Sequence, residues 1–166
     1  MAAALLVHHL KEIRVDAFVL SAGVHGDGVS PATPNATRVM GEYELDISQH
    51  RSLELARRFI TGADLVIGMT REHVREVVVL DPSAFRRAFT LKELVRRSRA
   101  ARRRSQPLRP WLEALGAGRE LEALLGESPA DDVHDPIGGP LREYRETAEE
   151  LDRLVQQLVL AAWPQE

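Results

Sequence analysis

The 166-residue sequence predicts an open α/β fold, with a parallel sheet covered by helices, and three observations carry that expectation. Short runs that are almost wholly apolar, such as residues 63–69, are typical of strands buried on both faces. Stretches with helical periodicity separate these runs, and alternating strands and helices imply a parallel sheet. Composition agrees: 44% hydrophobic and 28% charged residues supply a core and a solvated surface for one compact domain.

Each element has a local reason. Leu5, Leu6, Leu10 and Ile13 fall at helical intervals, predicting a helix over 2–13. No capping residue precedes it, so the sequence opens inside a helix. Residues 16–21 (Asp-Ala-Phe-Val-Leu-Ser) are β-prone and close on Ala22-Gly23, predicting a short buried strand. A turn-rich loop over 26–34 follows, and Asn35 is placed to cap a helix over 36–43. A further helix is expected over 52–61, ended by Gly62, then a second strand over 63–69. Thr70 is placed to cap a helix over 71–79 that Asp81-Pro82 stops. Residues 87–91 read as a third strand, followed by a helix through Arg104. The stretch 105–132 is punctuated by Pro and Gly, with short helical pieces around Trp111 and Leu121. Tyr144, Ala148, Leu151, Leu154, Val155 and Leu158 predict a long amphipathic helix over 141–163.

Composition also narrows function. The net charge of −3 does not point to a polyanionic or membrane partner, and no apolar run approaches the roughly 20 residues that span a bilayer. The apolar start Met1 to Val7 has no basic region before it, so a cytoplasmic protein without a secretory signal is expected. The chain has no Cys, which removes disulfides, thiolate metal sites and cysteine catalysis from these 166 residues. Its six histidines are scattered, and adjacent His8 and His9 are expected to point in different directions, so no metal site is expected. Arg96, Arg97, Arg99, Arg102, Arg103 and Arg104 form a basic run. Such a run could bind nucleic acid, but no aromatic residues interleave it, and a solvated helix face is favoured. Between these lies a role steering an anionic phosphoprotein.

One ordered set of segments is more specific. Val133-His134-Asp135-Pro136-Ile137-Gly138-Gly139-Pro140 alone would read as a turn. It follows Ser21-Ala22-Gly23, Asp46-Ile47-Ser48-Gln49-His50-Arg51-Ser52 and the 63–71 segment, all behind the opening Met1-Ala2-Ala3-Ala4-Leu5-Leu6. Together these resemble the low-molecular-weight protein tyrosine phosphatase family over nearly the whole chain. The likeness weakens over about 96–132, which reads as a variable Arg-rich insert in a single domain spanning 1–166.

The resemblance implies a three-layer α/β/α sandwich and hydrolysis of phosphomonoesters without metal or organic cofactor. The implied substrate is a phosphotyrosine protein or a small aryl phosphate. In that chemistry a Cys thiolate, held at low pKa by a helix N-terminus and an Arg, attacks phosphorus. An Asp protonates the leaving oxygen and then activates water. Asp135 matches this general acid, and His50 matches a histidine that orders the phosphate loop from behind.

The sequence departs from the family pattern in two respects. The Cys-x5-Arg-Ser-Pro segment, and the first, central strand leading into it, would precede Met1. Ile137 stands where many members carry an aromatic residue, removing a ring pairing worth about 0.5–1.5 kcal/mol. The expectation is therefore a family enzyme whose sequence starts at an internal methionine and lacks the nucleophile. A catalytically dead pseudo-phosphatase acting as a binding module is the alternative. An arsenate reductase-like reaction ranks below both, because no further Cys is present to resolve a thiol–arsenic adduct.

Overall fold

A computed structural model describes residues 1–24, 29–101 and 104–164. The chain divides into two compact units, residues 1–55 with 134–159, and residues 56–133 with 160–166.

In the first unit, α1 (Ala2–Glu12) and α2 (Pro34–Glu42) end by the same device. Arg14 and Glu44 take left-handed backbone angles (φ 57° and 59°). Each turns the chain so that Val15 N–H reaches Leu10 O and Leu45 N–H reaches Met40 O, both at 2.9 Å. These bonds satisfy carbonyls that a helix end otherwise leaves unpaired. The α2 cap is Thr33, whose hydroxyl accepts the Ala36 N–H at 3.3 Å, rather than Asn35. Pro34 explains the shift: proline suits the first helical position, which makes its predecessor the cap. The long helix α7 (Leu141–Ala162) buries the expected stripe, Tyr144, Ala148, Leu151, Leu154, Val155 and Leu158. With Leu5, Leu10, Val39 and Met40, these side chains are the main buried set of the unit.

The predicted strand at 16–21 does not form. Those residues have no regular structure, and Phe18 is 91% exposed. Only its far end pairs: Gly23 forms an isolated parallel bridge with Glu54, with Gly23 N–H to Leu53 O at 2.8 Å. A strand is stabilised by its lateral neighbours, and among the described residues none lies beside 16–21. The same bridges explain the shortened third helix, α3 (Arg57–Gly62). Arg51 bridges Pro31 and Ser52 N–H donates to Ser30 O, so residues 51–55 are held extended.

The second unit holds a two-stranded parallel sheet, β1 (Val66–Gly68) beside β2 (Ala88–Thr90), with Ile67 opposite Phe89. Parallel neighbours need a crossover, which α4 (Arg71–Leu80) supplies. Thr70 caps α4 by accepting His73 N–H at 3.3 Å, and Asp81-Pro82 ends it, both as expected. Gly68 permits the tight strand-to-helix turn, since a Cβ there would lie 2.8 Å from the Val74 side chain. A 3₁₀ turn (Pro82–Arg87) leads into β2, and Thr90 starts α5 (Leu91–Ala100). Thr90 with Glu93 three residues on is a capping-box sequence, and the Thr90 hydroxyl accepts Glu93 N–H at 3.1 Å. α6 (Leu108–Leu115) and a second 3₁₀ turn (Leu121–Leu124) match the helical pieces expected around Trp111 and Leu121. Phe89, Leu91, Leu94 and Leu112 are fully buried.

The fold class is α/β with a small parallel sheet and many helices. No helix among the described residues is long and apolar enough to cross a membrane.

Candidate functional site

The loop that carries Asp135 lies in the first unit, immediately before α7, and its sequence dictates its shape. The Asp135 carboxylate accepts the Ile137 N–H at 3.0 Å, closing a turn around Pro136. Gly139 N–H then reaches Pro136 O at 2.9 Å, and Gly138 takes φ 78°, a left-handed angle that glycine adopts without strain. Two further contacts hold the loop in place. The Thr147 hydroxyl on α7 donates to His134 O at 3.3 Å, and the Asn35 amide on α2 reaches Gly139 O at 3.5 Å. Below them Thr33 donates to the Tyr144 hydroxyl at 3.2 Å, while Arg145 grips Glu42 with contacts of 2.7 and 2.9 Å. Asp135 and Ile137 are therefore exposed side chains on a braced turn.

His50 is also exposed, at the end of a loop that organises itself. Asp46 accepts Ser48 N–H at 2.8 Å, and the backbone and side-chain hydrogen bonds of Ser48 hold that carboxyl below its usual range. His50 N–H donates to Ile47 O, and Arg51 donates to the Ser48 and His50 carbonyls at 3.1 and 2.7 Å. No hydrogen bond joins His50 to Asp135 among the described residues.

Asn35 braces the Asp135 turn through Gly139 O rather than capping α2. Its residue type suits a helix start, whereas its reach to Gly139, 104 positions on, has no local signature.

The arginine run belongs to the second unit, where most of its described members are engaged. Arg96 pairs with Asp131 at 2.7 Å, Arg97 with Glu93 at 2.8 Å and the Leu115 carbonyl at 3.0 Å, and Arg104 bonds the carbonyls of Gln106 and Ala162. Arg102 and Arg103 lie outside the described residues. Arg71 shares Asp131 at 2.7 Å, and buried Arg119 donates to Glu93 while stacking on Phe85 and Phe89. Burial pushes the Asp131 carboxyl up, but Arg96 and Arg71 outweigh it and leave it below its ordinary value. The polar cavity lined by Arg71, Arg96, Arg97 and Arg119 is thus a lattice of internal ion pairs.

Comparison with known proteins fits this geometry. The family description "Low molecular weight phosphotyrosine protein phosphatase" matches residues 1–109. Among curated proteins, the "Probable low molecular weight protein-tyrosine-phosphatase EpsP" of Ralstonia solanacearum is 36% identical over 76 residues, 46% of this chain. That match spans about half of the relative, 52% of its length. The protein-arginine-phosphatase of Bacillus subtilis is 29% identical over 141 residues, 84% of this chain and 72% of that protein. The solved low molecular weight protein tyrosine phosphatase from T. tengcongensis superposes with a TM-score of 0.71 at 32% identity, covering 95% of this chain and 86% of that one. The chain belongs to the low molecular weight phosphotyrosine protein phosphatase family.

Proposed function

We propose that these residues form the acid-donating body of a cytoplasmic phosphomonoester hydrolase acting on phosphorylated protein. Asp135 protonates the leaving oxygen, and the nucleophile belongs to a Cys-x5-Arg segment ahead of α1. The carrying observation is the braced turn, because a general acid must be held within hydrogen-bond reach of its substrate atom. Asp135 combines exposure to an incoming substrate with a backbone fixed by Gly138, Asn35 and Thr147. His50 supports the phosphate loop from behind. The unformed strand at 16–21 also supports the reading, since its exposed Phe18 is what a strand deprived of its neighbour displays.

Without a thiol, the 166-residue polypeptide performs no turnover by this chemistry. The test is vanadate-sensitive hydrolysis of an aryl phosphate by the polypeptide alone and by a form extended with the upstream in-frame codons. Activity confined to the extended form supports the proposal; activity of the 166 residues alone refutes it. An upstream stop codon would instead leave a pseudo-phosphatase that binds phosphoprotein without hydrolysing it.

A second substrate reading rests on Ile137, which is 69% exposed beside Asp135 and offers aliphatic rather than ring contact. An aliphatic wall suits the flexible stem of a phosphorylated arginine as well as it suits a phenyl ring, and one relative is a protein-arginine-phosphatase. Relative kcat/KM for phosphoarginine and phosphotyrosine peptides, measured on the extended form, decides between them.

A further inference from the structure

The last turn of α1 gathers a set of ligands that the expected scatter of histidines did not suggest. His8 and His9 are adjacent, yet their rings meet edge to face with centroids 5.3 Å apart. Glu12 lies three and four residues on, which places it on the same helical surface as both. Its Oε1 is 3.6 Å from His8 Nε2 and its Oε2 is 3.0 Å from His9 Nδ1. One donor atom from each of the three residues falls within 4.8 Å of the others.

His9 adds a constraint on what sits among them. Its Nε2 lies 2.7 Å from Asp152 Oδ1 on α7, while Nδ1 faces Glu12. A neutral imidazole has one N–H and one bare lone pair. Whichever tautomer is drawn, one nitrogen lone pair therefore confronts a carboxylate oxygen at hydrogen-bond distance. A metal ion bound at that lone pair removes the repulsion. Donation from Nε2 to Asp152 leaves Nδ1 free to ligate, the carboxylate–histidine relay that orients many metal ligands.

The surroundings also favour a cation. The site lies at the negative end of the α1 dipole.

We propose that His8, His9 and Glu12 form a binding site for a divalent transition cation of the zinc type, with Asp152 orienting His9. Two imidazoles and one carboxylate are a donor set suited to such an ion, with water completing the shell. The 3.0 and 3.6 Å separations bracket the roughly 3.3 Å between neighbouring ligands that bonds of about 2.0–2.1 Å and tetrahedral angles impose. His8 and Glu12 are 42% and 57% exposed, so the ion can enter from solvent.

The test is calorimetric titration of the 166-residue chain with zinc chloride, together with the visible absorption of cobalt(II) added in its place. One ion per chain is expected. His8→Ala and Glu12→Ala change exposed side chains and leave the circular dichroism intact, and each weakens binding at least tenfold. Asp152→Ala touches no metal, yet weakens binding by about 10- to 100-fold, the effect of losing an orienting partner. Absence of binding at millimolar zinc overturns the proposal. Undiminished affinity in a His8→Ala, Glu12→Ala double variant overturns it equally, because the ion would then lie elsewhere.

Discussion

Residues 16–21 in the first unit and 66–68 in the second are both short apolar runs, yet only the second is a strand. Val66–Gly68 pairs with Ala88–Thr90, and its crossover helix α4 is capped by Thr70 and stopped by Asp81-Pro82. Residues 16–21 have no such neighbour, and Phe18 stands 91% exposed. Phe89, the same side chain on a paired strand, is fully buried. Apolarity makes a run eligible to be a strand, and lateral hydrogen bonding decides whether it is one. The polar groups follow the same division. In the second unit Asp131 and Glu93 are each shared by two arginines, whereas in the first unit Asp135 and His50 are left exposed.

The sharpest way to break this contrast is Phe89→Ala, which removes a fully buried ring from a paired strand. It should cost about 4 kcal/mol, read as a lowered urea midpoint with the slope unchanged. Asp131→Asn is next, at about 2–3 kcal/mol. It deprives Arg71 and Arg96 of a buried partner, but Arg96 is itself 55% exposed, which keeps the loss below that of a fully buried pair.

The same carboxylate sets an acid limit. Because Asp131 is held below its ordinary 3.8, folding favours the ionised form. Its contribution is complete above the unfolded value and is lost as pH falls through the lower folded one. A plot of stability against pH should therefore lose part of its acid limb in Asp131→Asn. An unchanged limb would show that the Asp131 pairings do not stabilise the fold.

Smaller effects refine the comparison. Thr90→Ala removes a cap whose hydroxyl accepts Glu93 N–H, and should cost about 1 kcal/mol in thermal unfolding. Glu44→Gly should stabilise the first unit by about 0.5–1 kcal/mol, by relieving a left-handed angle at the end of α2. Phe18→Ser should change stability by no more than about 0.5 kcal/mol while reducing self-association measured by sedimentation. A loss comparable to Phe89→Ala would show that Phe18 is buried after all.

Much of this was legible in the residues. Thr70 and Asp81-Pro82 bounded α4 without help from the rest of the chain, and the periodicity of Tyr144 to Leu158 fixed the buried face of α7. Thr33-Pro34 was also a readable start, since proline at the first helical position marks the residue before it as the cap. Asp135-Pro136-Ile137-Gly138 was legible as a turn, because its hydrogen bond spans two residues. The shortening of α3 was not, because Arg51 and Glu54 are drawn off by Pro31 and Gly23, about twenty to thirty positions earlier. Nor was the bracing of the Asp135 turn by Asn35.

The sequence by itself determined where α4 starts and stops, the buried face of α7, that these residues contain no thiol, and which carboxylate sits on the turn before α7. Those properties depend on neighbours within one or two helical turns. Only the tertiary structure decided that 16–21 stays unpaired, that Arg96 and Arg97 pair with Asp131 and Glu93, and that Asp152 meets His9 across 143 positions. Such outcomes depend on which distant groups come within hydrogen-bond distance, and no local pattern encodes that proximity.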